Sequence, residues 1–206
     1  CKINYQNEEI PVLMTNYHVL SDEYLENNNF VKISLNDEQI FEVLNIEEKN
    51  KIFSSENEKY DIMIIKLKEE NNKFNYLELD NNLFNENSEY LYENKSIYIL
   101  HYPNGENISI SFGYGIKKCD DYYIKHLCHT EYCSSGSPIL NLSNNKVIGI
   151  HKGTIKNKDK KAKFNIGILL KYPLNKLNKK KANEITIKIN ITNREVNKEI
   201  YFLDNS

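Results

Sequence analysis

The sequence predicts an all-β protein, built as a sandwich or a barrel. Short runs of alternating or β-branched apolar residues recur about every ten residues, which is the spacing of such folds. The connections between them are rich in Asn, Glu and Lys, and helical signal is scarce. The length of 206 residues suits one large β domain or two small domains.

Four runs predict strands in the first third of the chain. Residues 10–20, "IPVLMTNYHVL", form an apolar strand that ends in a polar turn. Residues 30–35 ("FVKISL") and 39–46 ("QIFEVLNI") alternate apolar and polar side chains. Residues 60–68 ("YDIMIIKLK") are a continuous apolar run, typical of a strand buried on both faces. The polar stretch 47–59 predicts a loop.

The second half continues this pattern. Residues 95–103 ("KSIYILHYP") are an apolar run closed by a Pro-Asn-Gly turn signal. An apolar strand also follows the Ser-rich stretch that ends at Pro138. Further strands are predicted at 108–119, 121–130, 146–155 and 162–170, and loops at 69–75 and 156–161.

The C-terminal region changes character. Residues 172–181 ("YPLNKLNKKK") have Pro early and Lys late, as helix ends prefer, and predict a short helix. Residues 182–206 include the alternating run "EITIKINITN" and are expected to be a connector or the first strands of a further domain. Because the chain begins at Cys1 and not at Met, we expect a fragment of a longer protein.

Composition narrows the classes of partner. The net charge is −2, which gives no electrostatic case for nucleic acid or an anionic membrane as a partner. No apolar run approaches the roughly 18 residues of a membrane span. The four cysteines are too few for a disulfide scaffold, and no His/Cys spacing suggests zinc. The cysteine and histidine spacing therefore indicates neither a disulfide scaffold nor a zinc site.

Three separate segments contain candidate catalytic side chains. The stretch "HTEYCSSGSPIL" (129–140) is rich in hydroxyl and thiol groups, but such a nucleophile needs a base and a group that orients the base. His18 follows an apolar strand, and Asp61 opens an otherwise apolar run. A buried carboxylate is costly unless it is hydrogen-bonded, and an imidazole N–H would satisfy it. Each feature alone is more often a turn or cap, but their order, His18, Asp61 and then Ser135, is that of a His-Asp-Ser triad.

The motifs resemble those of a known family. "LMTNYHVL", "YDIMIIKL" and "CSSGSPILNLSNNKVIGIHKG" resemble the base, acid and nucleophile segments of chymotrypsin-like (trypsin-like) serine proteases. "SGSP", "GIHKG" and "IYILHYPNG" are similar to the glutamyl-endopeptidase branch, with Leu100 and His101 replacing that branch's usual residues before Tyr102. The similarity spans about residues 3–180.

This resemblance implies a fold and its boundaries. It implies two six-stranded antiparallel β-barrels with a short C-terminal helix. The protease domain would cover 1–181, with barrel halves at roughly 1–80 and 90–170. Residues 182–206 would be a C-terminal extension or a linker to a further domain.

The resemblance also implies catalytic roles. Ser135 would be the nucleophile, and His18 the general base and then the acid for the leaving amine. Asp61 would fix the His18 tautomer. The backbone amides of Ser135 and Cys133 would form the oxyanion hole. Cys133 departs from the family, which has Gly there. A Cβ at this position is expected to tilt the amide and weaken the oxyanion hole, or to be harmless if the local φ is negative.

Specificity is expected to depend on residues beside the nucleophile. By the resemblance, Thr130 and His151 would bind an acidic substrate side chain, since a hydroxyl and an imidazole both donate hydrogen bonds to carboxylates. His129 or Thr130 is the candidate pocket floor, and neither is acidic, so trypsin-like specificity is not expected. Cleavage after Glu or Asp and an apolar or mixed preference both stay open. We expect His126 and His129 at the surface or pocket rim and His101 packed in a strand.

The sequence thus supports competing functions. The first is a serine endopeptidase whose partner is a protein or peptide substrate, and which is expected to need no metal and no organic cofactor. The second is a catalytically impaired, protease-like binding module within a larger protein, favoured by Cys133 and the extra tail. The third is a β-rich adhesion or interaction domain whose motifs are coincidental. The physiological substrate, the compartment and the oligomeric state are not encoded in recognisable motifs.

Overall fold

The computed structural model describes residues 1–6, 8–28, 30–34, 41–46, 50–55, 60–67, 75–118, 122–156 and 162–179. The chain divides into two compact units, residues 1–172 and 173–206. The first unit is mostly β, as predicted, with an open sheet and a hairpin in its N-terminal part and a closed barrel in its C-terminal part. The described part of the second unit, 173–179, is helical.

Six strands lie among the described residues in the N-terminal part of the first unit. Four form an antiparallel sheet in the order β1-β2-β6-β5, and β3 pairs with β4 as a separate antiparallel hairpin. The apolar side chains of Leu20, Ile46, Met63 and Ile65 form a buried cluster. The strands are β1 (Lys2–Tyr5), β2 (Glu8–Thr15), β3 (Phe30–Ser34), β4 (Phe41–Asn45), β5 (Lys51–Ser55) and β6 (Ile62–Lys66).

The C-terminal part of the first unit is a closed six-stranded barrel in the order β10-β11-β12-β9-β8-β7. Alternate residues of β7 are buried although its sequence is a continuous apolar run, because successive side chains of a strand point to opposite faces of the sheet. Closure leaves no unpaired strand edge, so the barrel is a rigid support for the loops that leave it. The strands are β7 (Ser96–His101), β8 (Ser109–Lys118), β9 (Tyr123–His126), β10 (Pro138–Asn141), β11 (Lys146–Lys156) and β12 (Ala162–Leu169).

The helices among the described residues are short. Helix α1 spans Asp22–Asn27, and the hydroxyl of its N-cap Ser21 accepts a hydrogen bond from the backbone of Tyr24. Helix α2 spans Ser88–Leu91, and 3-10 turns lie at Asn81–Phe84 and Pro103–Gly105. The predicted C-terminal helix is confirmed, because residues 171–179 are helical.

Two short strands correct the expectations from sequence. The predicted loop at 47–59 is wrong, because β5 lies within it and pairs with β6. Strand β1 was not expected, and it pairs with β2. Both are too short and too polar to show periodicity, and their backbone hydrogen bonds to an apolar neighbouring strand hold them in the sheet.

Part of the expected architecture is not settled by these strands. One closed barrel is present, and a first barrel in residues 1–80 stays a prediction. The loops predicted at 69–75 and 156–161 lie almost wholly outside the described residues, and the tail 182–206 lies entirely outside them. Within the described ranges, no helix is long and apolar enough to cross a bilayer.

Candidate active site

His18 and Asp61 are brought together by the pairing of their strands. His18 lies in the turn just after β2, and Asp61 immediately precedes β6, which pairs antiparallel with β2. The ring of His18 donates a hydrogen bond from Nδ1 to Asp61 Oδ2 at 2.7 Å. The backbone N–H of His18 donates to Asp61 Oδ1 at 3.0 Å. Both carboxylate oxygens of Asp61 therefore accept a hydrogen bond from His18. The bond from Nδ1 fixes the tautomer in which Nδ1 carries the ring proton and Nε2 is unprotonated.

The backbone of Asp61 is strained into this position. Its φ is +42°, in the left-handed region that non-glycine residues rarely adopt. The fully buried side chain of Asn16 donates from Nδ2 to the Asp61 carbonyl at 3.1 Å. Asn16 therefore helps to hold the strained peptide. Sequence reasoning did not single it out, although a polar residue between an apolar strand and His18 was a usable signal.

The environment favours an ionised Asp61. Burial alone would raise the pKa of its carboxyl group. The hydrogen bonds from the His18 side chain and backbone, together with the charges of His18 and Lys152, outweigh burial and hold this pKa below its ordinary value. An ionised Asp61 can accept both hydrogen bonds and stabilise a protonated His18.

The loop that bears Ser135 is anchored to the barrel. The backbone N–H of Gly136 donates to the His151 carbonyl at 2.9 Å, and the His151 N–H donates to the Ser137 carbonyl at 2.8 Å. Gly136 has φ +85°, and a Cβ placed on it would overlap Thr15 Oγ1. The loop therefore packs directly against the end of β2, three residues before His18.

Lys152 contacts both halves of the site. The hydroxyl of Ser135 donates to the Lys152 carbonyl at 3.2 Å, and Lys152 Nζ lies 3.9 Å from Asp61 Oδ2. Among the hydrogen bonds of the described residues, none joins Ser135 to His18, and such bonds often tighten only when substrate binds. Sequence reasoning did not assign a role to Lys152, which the "GIHKG" motif contains.

Cys133 has the backbone conformation of a glycine. Its φ is +67°, and the residue is exposed. The condition of a negative φ is therefore not met, and the left-handed conformation is retained at a cost of about 1–2 kcal/mol. Within the described residues, the amides of Cys133 and Ser135 have no acceptor, whereas those of Ser134, Gly136 and Ser137 donate to backbone carbonyls. Both proposed oxyanion donors are thus available.

Two buried histidines lie behind the nucleophile loop. His151 on β11 and His126 on β9 are 2% and 0% exposed, and His126 Nε2 lies 3.2 Å from His151 Nδ1. Burial, and then the charge of His151, lowers the pKa of His126 to about 3. Burial, and then the charges of His101 and His18, lowers the pKa of His151 to about 4. Both rings are therefore neutral near pH 7, and the expectation of a surface or rim position for His126 is wrong.

The hydrogen-bond inventory selects a tautomer for this pair. His126 Nδ1 is buried and has no partner among the described residues. A buried N–H without an acceptor is rarer than a buried acceptor without a donor, so the proton of His126 belongs on Nε2, which donates to His151 Nδ1. His151 then has its own proton on Nε2, as a fixed hydrogen-bond donor.

The other expected pocket residues lie nearer the surface. Thr130 is half-buried. The His129 side chain is 81% exposed, and its Nε2 lies 2.9 Å from a carboxylate oxygen of Glu131. This location suits a pocket rim better than a pocket floor. His101 is buried at the end of β7, in agreement with the expectation of a packed strand histidine.

Residues 4–150 match the family model of the trypsin-like peptidase domain. The chain belongs to the trypsin-like peptidase family. No protein with a curated functional description matches its sequence. The family match does not assign roles to individual residues. The catalytic roles in this trypsin-like peptidase domain are inferred from the motifs and the geometry above, and they stay predictions.

Solved structures share the fold at low sequence identity. An HtrA-type protease, AlgW, in complex with a decapeptide matches with a TM-score of 0.58 at 15% identity, over 81% of this chain and 47% of that one. A serine endoprotease from Yersinia pestis gives 0.59 at 12% identity, over 81% and 53%. Rv3671c from M. tuberculosis H37Rv gives 0.55 at 17% identity, over 86% and 85%. The chain spans about half the length of the first two, and these likenesses establish the fold.

Proposed function

We propose that this chain is a serine endopeptidase that hydrolyses peptide bonds with Ser135, His18 and Asp61. The observation that supports this most directly is the 2.7 Å hydrogen bond between His18 Nδ1 and Asp61 Oδ2. It leaves His18 Nε2 as an unprotonated nitrogen that can accept a proton. Two contacts support placing Ser135 near this pair. Ser135 donates to the carbonyl of Lys152, whose Nζ lies 3.9 Å from Asp61 Oδ2, and the neighbouring Gly136 packs against the end of β2.

The reaction follows from these groups. The Ser135 hydroxyl leaves the Lys152 carbonyl and attacks the substrate carbonyl carbon, while His18 Nε2 takes its proton. The amides of Cys133 and Ser135 donate to the developing oxyanion. His18 then gives the proton to the leaving amine as the C–N bond breaks. Water hydrolyses the acyl-enzyme by the reverse proton transfers, and the ionised Asp61 stabilises the protonated His18 in each step.

The proposed substrate has an acidic side chain before the cleaved bond. The Nε2–H of His151, fixed by His126, can donate to a carboxylate, and so can the hydroxyl of Thr130. A neutral His151 would orient the substrate carboxylate through a hydrogen bond but would not add a positive charge. The bound carboxylate would then raise the pKa of His151 and favour its protonation. An apolar or mixed preference is the alternative, since buried neutral histidines also line apolar pockets.

The proposal includes the predicted domain boundaries. A protease domain over 1–181 would consist of the closed barrel and a first barrel closed from the β1-β2-β6-β5 sheet and the β3-β4 hairpin. The six strands in this half are the number that such a barrel needs. Residues 182–206 would be an extension or linker.

A fluorophosphonate probe tests the catalytic assignment, because it reacts only with an activated serine. Wild type and the exposed-serine control Ser143→Ala are expected to be labelled, and Ser135→Ala to remain unlabelled. Labelling of Ser135→Ala would remove the nucleophile assignment. Wild type left unlabelled, with its fold intact by circular dichroism, would favour a catalytically impaired binding module, which the strained Cys133 also supports.

A peptide-library digest tests the proposed specificity. Wild type is expected to cut after Glu and Asp. This preference should fall away in His151→Ala and Thr130→Val, because each loses a donor to the carboxylate. A cleavage profile unchanged in both variants would contradict the pocket assignment but leave the endopeptidase assignment intact.

A further inference from the structure

Ser134 lies between the two residues whose amides would form the oxyanion hole, and its side chain points inward. It is 1% exposed. Its Oγ lies 2.8 Å from Nδ1 of His101 and accepts a hydrogen bond from the backbone N–H of Glu131 at 3.2 Å. A serine hydroxyl can accept one bond and donate another, so both contacts can form together.

His101 is a firm anchor for this hydroxyl. It is the last residue of β7, which pairs with β8 on one side and β10 on the other within the closed barrel, and it is 3% exposed. The turn that follows β7 makes a second contact with the same loop, because the backbone N–H of Asn104 donates to the Tyr132 carbonyl at 2.7 Å. The end of one barrel strand therefore contacts the loop 131–134 at two points.

We propose that His101 is a positioning residue that acts through Ser134 to hold the amides of Cys133 and Ser135 in place for the transition state. The proposal goes beyond the triad and rests on the proposed endopeptidase function.

The strain at Cys133 explains why an anchor is needed. A non-glycine residue at φ +67° would relax by rotating an adjoining peptide, and such a rotation would turn an oxyanion donor away. A fixed Ser134 side chain opposes that rotation. Burial, and then the charge of His129, lowers the pKa of His101. Nδ1 of a neutral His101 ring can accept a hydrogen bond from the Ser134 hydroxyl, while Ser134 Oγ accepts one from the Glu131 N–H.

Steady-state kinetics on four single variants, and on the Ser134→Ala/His101→Leu double variant, test the proposal. Ser134→Ala and His101→Leu remove one partner each, and His101→Asn keeps a polar atom near the place of Nδ1. Ser88→Ala is the matched control, because Ser88 is also 1% exposed and donates to the Leu83 carbonyl outside this loop. Ser134→Ala and His101→Leu are expected to lower kcat by about 10- to 100-fold, with KM within about twofold because the oxyanion forms only in the transition state.

The remaining outcomes separate positioning from general destabilisation. His101→Asn should keep most of kcat, Ser88→Ala should match wild type, and the double variant should be no slower than the slower single variant. An unchanged kcat in Ser134→Ala, equal losses in His101→Asn and His101→Leu, or an equal loss in Ser88→Ala would each overturn the proposal.

Amide hydrogen exchange tests the anchor without any catalysis. Amides in peptides covering 131–136 are expected to exchange faster in Ser134→Ala and His101→Leu than in wild type. In Ser88→Ala their exchange rate should equal that of wild type. Unchanged exchange in Ser134→Ala and His101→Leu overturns the anchor, even in an active enzyme. A wild type that neither cleaves peptides nor reacts with the fluorophosphonate probe fails the proposed function separately.

Discussion

Asp61 and Cys133 are both in the left-handed region, with φ of +42° and +67°, although neither is glycine. Each such residue costs on the order of 1–3 kcal/mol, and the surrounding contacts must hold it there. For Asp61 these contacts come from Asn16 and His18. For Cys133 they come from its neighbour Ser134 and the end of β7. The two strained residues therefore lie where the proposed chemistry depends on the orientation of a group, the Asp61 carboxylate in one case and the Cys133 amide in the other.

The Asp61–His18 hydrogen bond makes a prediction about turnover. Asp61→Asn should lower kcat by about 10⁴-fold, because an amide at this position favours the wrong His18 tautomer. Asp80→Asn is the matched control, since Asp80 is also buried and hydrogen bonds from Asn141, Asn82 and Asn144 outweigh its burial and lower its pKa. Asp80→Asn should lower stability and leave kcat near that of wild type. Comparable kcat losses in the two variants would refute the assignment.

The backbone strain at Cys133 makes a prediction about stability. Cys133→Gly should raise the free energy of unfolding by about 1 kcal/mol, because glycine adopts a positive φ without a Cβ penalty. Cys133→Ala should give no such gain, since it keeps the Cβ and loses only the thiol. Urea titration measures both. An equal gain in the two variants would attribute the effect to the thiol.

At the scale of elements, the candidate active site forms where the loop that bears Ser135 packs against the end of strand β2. The Ser135 loop is bound to β11 by backbone hydrogen bonds and packs against the last residue of β2. The turn after β2 then presents His18, and the start of β6 presents Asp61. Their relative positions therefore depend on strand pairing and on one close approach at Gly136.

Gly136→Ala is expected to reduce both stability and labelling of Ser135. The new Cβ would overlap Thr15 Oγ1 and would also sit at φ +85°. Gly105→Ala is the matched control, because Gly105 has φ +75° but no atom within 4 Å of an added Cβ. In both variants a Cβ at a positive φ costs about 1–2 kcal/mol of stability. Only Gly136→Ala should also react more slowly with the fluorophosphonate probe at Ser135. Similar labelling rates in the two variants would show that the close approach to Thr15 is unimportant.

The sequence predicted elements with different success. Continuous apolar strands such as β6 and β7 and alternating strands such as β3 were identified, because the burial of one or both faces imposes a pattern on the residues. The five-residue β5 and the four-residue β1 were not. Their residues carry little pattern, and their strand conformation comes from hydrogen bonds to a neighbour distant in sequence.

At the scale of the whole molecule, the buried ionisable groups predict acid sensitivity. His126 and His151 titrate near pH 6.5 when unfolded, but in the folded protein burial lowers their pKa values to about 3 and about 4. Below pH 6.5 the unfolded chain therefore binds more protons than the folded one. Stability is full above that pH and is lost as the pH falls towards the folded values. The lowered pKa values of Asp61 and Asp80 add a further loss below about pH 4.

Urea midpoints measured from pH 7 to pH 4 check this expectation. Stability should fall by up to about 1.4 kcal/mol per pH unit for each buried histidine. In His126→Gln the slope between pH 6.5 and pH 4 should be shallower, because one proton-binding difference is gone. In the exposed control His129→Gln it should match wild type. A flat profile in wild type would show that the two rings titrate in the folded protein as they do in the unfolded chain, and it would contradict the lowered pKa values.

The sequence by itself determined the fold class, the family resemblance and the three proposed catalytic residues, because strand periodicity and short motifs are local properties of the chain. It did not determine the His126–His151 pair, the anchoring of Ser134 by His101, the contacts of Lys152 or the positive φ of Cys133. Each of these depends on groups far apart in sequence that meet only when strands pair and the barrel closes. Burial, hydrogen-bond partners and backbone strain are properties of that packed arrangement, so only the tertiary structure could decide them.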